Sequence, residues 1–102
     1  MYALLTQKQS EVADLCRRAG ARRLDVFGSA VRADFDPASS DLDFLVEFDE
    51  VAPAAYAQSF FSLHAGLEDL FKRPVDLLTS SNLANPFFRR RVVAERETLY
   101  AA

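Results

Sequence analysis

The chain has 102 residues, half of them hydrophobic and 12% aromatic, which is enough to bury one core and too little for two, so residues 1–102 are expected to form a single domain. Twelve basic side chains against fifteen acidic ones give a formal net charge of −3, and that mildly acidic balance gives no reason to expect a nucleic-acid scaffold binder. A lone Cys16 excludes an internal disulfide and a cysteine-based zinc site; with no basic, apolar leader and no run near the roughly 18 apolar residues of a membrane span, a cytoplasmic protein without membrane attachment is expected.

Val12, Leu15, Cys16 and Ala19 fall at helical spacing with Gly20 behind them, which predicts a first helix from about Thr6 to Ala19. Leu24, Val26 and Phe27 then lead as a strand into Gly28-Ser29, and Leu42, Phe44, Val46 and Phe48 alternate with Asp41, Asp43, Leu45 and Glu47 as a second strand. Between the two, Ala30 to Phe35 is predicted as a short helix ended by Asp36-Pro37, followed by a loop to Ser40. Pro53 opens a long helix that carries Phe60, Leu63, Leu67, Leu70 and Phe71 and stops at Lys72-Arg73-Pro74. Val75 to Thr79 is a short third strand, and Ser80-Ser81-Asn82 precedes a last helical stretch through Phe87, Phe88, Val92 and Val93. Helices alternating with short strands give an α/β (α+β) class, a small mixed sheet flanked by helices.

The chemistry concentrates in two steps of this pattern. Asp41 and Asp43 are two apart on a strand, so both carboxylates point to one face, with Cα atoms about 7 Å apart. Like charges at the edge of an apolar core resist desolvation unless a cation compensates them, and oxygen-only ligands favour Mg²⁺ or Mn²⁺. Asp76 is the acid of the other short apolar strand, and beside the second strand it would complete a triad able to hold two metal ions. Gly28-Ser29 offers a close backbone approach, a hydroxyl and exposed N–H groups, which is what a phosphate requires. Taken singly, a Gly-Ser step is most often a turn and Asp-x-Asp a solvated strand entry; their order along the chain is the specific signal.

That ordered set, Gly28-Ser29, Ala30-Val31-Arg32-Ala33, Ser40-Asp41-Leu42-Asp43-Phe44-Leu45-Val46 and Val75-Asp76-Leu77, resembles the minimal nucleotidyltransferases of the polymerase-beta superfamily, the antitoxin partners in HEPN/MNT toxin–antitoxin pairs. The resemblance covers nearly the whole chain. It departs from the family pattern at Ala33, often a glycine, and in the eleven residues between Ser29 and Asp41, where ten is commoner. It implies a polymerase-beta-like fold in which Gly28, Ser29, Arg32 and Ser40 take the nucleoside triphosphate. It further implies that Asp41, Asp43 and Asp76 bind two Mg²⁺ ions and that Asp76 activates the acceptor hydroxyl. The implied reaction is AMP transfer from ATP to a tyrosine of a cognate HEPN toxin; the alternative is an antitoxin that neutralises its toxin by binding alone.

Other residues have plainer readings. Arg32 either reaches the triphosphate or pairs with Asp34 or Asp36, and Arg89-Arg90-Arg91 is either a solvated helix face or a contact for an acidic partner or nucleic acid. His64 and Cys16 are expected to pack rather than to ligate. The small, apolar chain has little left to cover Tyr100 and the last helix, which leaves surface for an oligomer or a hetero-complex.

Overall fold

A computed structural model describes residues 1–32, 34–49 and 52–102. The apolar stripe of the first helical region extends further towards the N-terminus than predicted. It forms α1 (Ala3–Gln7) and α2 (Gln9–Ala19), bent at Lys8, so that Leu5 joins Val12 and Cys16 in the core. Gly20 closes α2 in the left-handed conformation, with φ of 73°, and its N–H donates back to the Arg17 carbonyl.

Four strands follow among the described residues: β1 (Ala21–Phe27), β2 (Leu42–Phe48), β3 (Val75–Leu78) and β4 (Glu97–Ala101). They form one mixed sheet in the order β3-β2-β1-β4, in which β1 runs antiparallel to both β2 and β4 while β2 and β3 are parallel. A parallel pair needs a crossover, and α3 (Pro53–Phe71) supplies it, ending where Lys72 adopts a φ of 56°.

Alternation along the strands divides the core. Leu24, Val26, Leu42, Phe44, Val46, Val75 and Leu77 pack with α1, α2 and α3, whereas Phe27 and Leu45 point to the opposite face, where they meet Leu83 and Val92. Val92 belongs to α4 (Pro86–Glu95), whose start is fixed by Asn85; its side-chain oxygen accepts from the N–H groups of Phe87 and Phe88 at 2.9 and 3.2 Å. The second face is thinner, closed by α4 and a 3₁₀ turn at Ser80–Leu83.

Two expectations are corrected. The short helix at Ala30 to Phe35 is replaced by a 3₁₀ turn at Gly28–Ala30 followed by irregular chain; Ala33 lies outside the described residues. Local polar groups hold the irregular path instead: Asp36 accepts from the Ala38 N–H and the Ser39 hydroxyl, and Phe35 leans its ring on Tyr2 at 4.3 Å. The chain after the last helix is a strand, β4, which pairs Tyr100 with Leu24 and buries Leu99. Tyr100 is consequently half-buried against the core, while Phe87 and Val93 of α4 stay exposed, Phe87 at 78%.

Candidate active site

Register brings the carboxylates together. Asp43 of β2 is the antiparallel partner of Phe27 and the parallel partner of Asp76, so Phe27, Asp43 and Asp76 lie abreast across three strands on the face covered by α4. Phe27 is also the residue before Gly28, so the turn leaves β1 beside Asp43. Gly28 has φ of 76°, and a Cβ built on it would collide with the Asp43 carboxylate; both observations require glycine here.

The resulting cavity, of about 260 Å³, is lined by Gly28, Ser29, Arg32, Asp43 and Asp76, with Phe27, Leu78, Phe88 and Val92 as apolar wall and Arg91 and Glu95 from α4 at its rim. Among the residues expected from the sequence, five therefore share one pocket. Ser40 and Asp41 line a neighbouring surface concavity with Arg73. The Ser40 hydroxyl accepts from the Asp36 N–H at 2.9 Å, and its carbonyl accepts from Arg73, whose guanidinium stacks on Tyr2 and Phe35. That clamp fixes the chain entering β2.

Electrostatics single out Asp43. Its carboxyl is pushed up from 3.8 to about 6, first by burial, then by the charge of Asp76 and by the hydrogen bond that a protonated Asp43 gives Asp76. Asp41 adds a smaller upward push through space, and Arg32 opposes it. A half-buried carboxylate facing a second one is a donor set that a hard divalent cation would relieve. Among the described residues no three acidic, histidine or cysteine groups stand close enough to hold one ion, so the fit rests on the Asp43 and Asp76 pair with the Asp41 charge nearby.

Arg32 pairs with Asp34, its Nε 3.1 Å from Asp34 Oδ1, and with Glu95, its Nη1 2.8 Å from Glu95 Oε1, while also lining the cavity. Glu95 and Arg91 were not singled out from the sequence as site residues. Their i, i+4 spacing is a visible helical ion-pair signal, but nothing local ties α4 to Gly28, 67 residues away. Asp25 is a further strand acid that the sequence pattern does not mark out. At 1% exposed it is the buried acid of β1, with Arg23 Nε at 2.9 Å and Arg96 Nη1 at 3.6 Å. Cys16 is buried and its thiol is pushed up to about 12 by burial, and His64 Nε2 lies 2.7 Å from the Val75 carbonyl, so both serve packing. No helix among the described residues is long and apolar enough to cross a membrane.

Comparison with known proteins agrees with this arrangement. Residues 11–99 match the nucleotidyltransferase domain family. The protein adenylyltransferase MntA of Thermococcus cleftensis is 36% identical over 81 residues, covering 79% of this chain and 75% of the relative. A solved structure assigned as a minimal nucleotidyltransferase superposes with a TM-score of 0.66 at 35% identity, covering 91% of this chain and 90% of that one. A toxin–antitoxin complex with AMP-PNP shares the fold, with a TM-score of 0.65 at 20% identity over 92% of this chain and 73% of that one. Two acids in register on parallel strands, a glycine turn packed against one of them, and a family match over most of the chain lead to one conclusion: this chain belongs to the nucleotidyltransferase domain family and is a minimal nucleotidyltransferase.

Proposed function

We propose that the chain is an antitoxin that transfers AMP from ATP to a hydroxyl, a tyrosine, of a HEPN-type toxin. The observation that carries the reading is the pairing of Asp43 with Asp76 across β2 and β3, opposite the Gly28-Ser29 turn in one cavity. Support for the transferred group and the partner comes from the relative named protein adenylyltransferase and from a complex of tri-AMPylated Shewanella oneidensis HEPN toxin with an MNT antitoxin, which shares the fold.

In this reading Gly28 and Ser29 present backbone N–H and hydroxyl donors to the phosphates, and Arg32 adds a guanidinium. Asp43 and Asp76, with the charge of Asp41, would hold Mg²⁺ or Mn²⁺, which when bound neutralises charge on the attacked phosphate and the leaving pyrophosphate. Asp76, the more exposed of the pair, accepts the proton of the incoming hydroxyl at its carboxylate. Exposed Phe87 and Val93, on the helix that also supplies the cavity residues Phe88 and Val92, offer apolar contact to the protein that carries that hydroxyl.

The test is incubation with labelled ATP, Mg²⁺ or Mn²⁺ and the product of the neighbouring open reading frame. Wild type should label that protein, and Asp76→Asn should keep nucleotide binding and lose transfer by a factor of about 10² or more. Complex formation and toxin neutralisation without any label would replace this reading with neutralisation by binding alone.

A further inference from the structure

The donors that should meet a phosphate already hold an anion. The Gly28 N–H donates to Glu95 Oε2 at 3.3 Å, Arg32 Nη1 donates to Glu95 Oε1 at 2.8 Å, and Arg91 Nε stands 3.6 Å from the same Oε1. Each oxygen of one carboxylate thus sits on a different donor, as two oxygens of a phosphate would.

We propose that Glu95 is a built-in stand-in for phosphate, and that a polyphosphate binds by displacing it, taking over the Gly28 N–H, Arg32 and Arg91. The proposal assigns Arg91 to the phosphate site and makes Glu95 an internal competitor that favours ligands of high charge density. It rests on the nucleotide reading above for its natural ligand.

Three observations carry it. Charge is the first: among the described residues, Asp43, Asp76 and Glu95 share the cavity with two cations, Arg32 and Arg91, so a triphosphate meets a surplus of negative charge until Glu95 withdraws. Space is the second, because about 260 Å³ falls below the roughly 300 Å³ at which small-molecule sites begin, and withdrawal of a side chain from the rim enlarges it. Position is the third: Glu95 is the final residue of α4, with its side chain 21% exposed, and Arg96 after it is already extended, so the side chain can leave without unwinding a turn. Glu95 is not serving as a third metal ligand here, since among the described residues no three such groups gather around one point.

Calorimetric titration of the full chain with ATP, and separately with inorganic tripolyphosphate, each with Mg²⁺, tests the proposal. Glu95→Gln should tighten both by about five- to thirty-fold, the range expected for releasing a partly buried charge-assisted pair. Arg91→Ala should weaken both by a similar factor. Glu95→Asp keeps the charge but loses reach, and should also bind more tightly; it carries the comparison if the glutamine variant melts abnormally. Binding to Glu95→Gln that is equal to or weaker than wild type, with the fold intact, overturns the proposal and makes Glu95 a positioning residue for Arg32. Tighter tripolyphosphate binding to Glu95→Gln with no ATP binding to any form would uphold the displacement and overturn the nucleotide reading instead.

Discussion

Replacing Asp43 by asparagine should stabilise the metal-free protein while abolishing transfer, and the gain should depend on pH in a defined way. The carboxyl is raised from 3.8 to about 6 in the folded chain. At about 1.4 kcal/mol per pKa unit, folding with the charged form costs at most about 3 kcal/mol; part of the group faces water, which reduces the figure to ~1–2 kcal/mol. Below the unfolded value the group is protonated in both states, so wild type and variant should match. As pH rises from about 4 to about 6, the unfolded chain gives up this proton while the native state still holds it, so wild type loses stability until the native carboxyl has titrated as well, and the asparagine gains by comparison. Urea or thermal unfolding from about pH 4 to about pH 8 with a chelator present should show a difference that opens across that window and is flat above it. For a domain of this size the plateau corresponds to a Tm increase of about 4–15 °C. A difference independent of pH, or no gain at the alkaline end, would refute the claim that Asp43 is held against its charge.

Gly28→Ala should destabilise by about 1–3 kcal/mol and weaken nucleotide binding, because the residue has φ of 76° and its Cβ would press on Asp43; denaturant melts and nucleotide titration check both effects. Asp25→Ala should cost about 2–4 kcal/mol in unfolding experiments, since it leaves Arg23 and Arg96 facing a vacated buried position, and because Asp25 does not line the cavity, nucleotide affinity should change far less than stability. Asn85→Ala removes the acceptor for two orphan N–H groups at the start of α4, a loss of about 1 kcal/mol measurable by thermal melting.

Strands and helices with a single buried face were legible because burial imposes a period: β2, β3 and α3 appear where their apolar residues recur. The sequence places Asp41 with Asp43 on one strand face and adds Asp76 if the third strand lies beside the second; the parallel pairing of β2 with β3 sets Asp43 opposite Asp76, while Asp41 falls just before β2. What escaped was non-local or held by side chains. The 3₁₀ turn after Gly28 replaces a helix because Asp34, Asp36 and their partners satisfy that segment without a helical ladder. β4 has a buried Leu99 and exposed Glu97 and Thr98, too short a pattern to separate from a helix end, and only pairing with β1 defines it. Glu95 reaches Gly28 through tertiary packing that no spacing in the sequence encodes.

The unequal thickness of the two faces divides the cavity between two degrees of anchorage. Its floor rides on the sheet, Asp43 on central β2 and Asp76 on the neighbouring edge strand β3, whose opposite face packs against three helices, whereas its α4 wall is secured chiefly by Val92, Phe88 and the Asn85 cap. Protection against hydrogen exchange should therefore be stratified, deep in β1 and β2 and shallow in α4, so that α4 opens in a sub-global step while the carboxylates keep their register. An opening of that kind admits a bulky substrate and a second protein along one side, without loosening the pair of acids on which the chemistry depends.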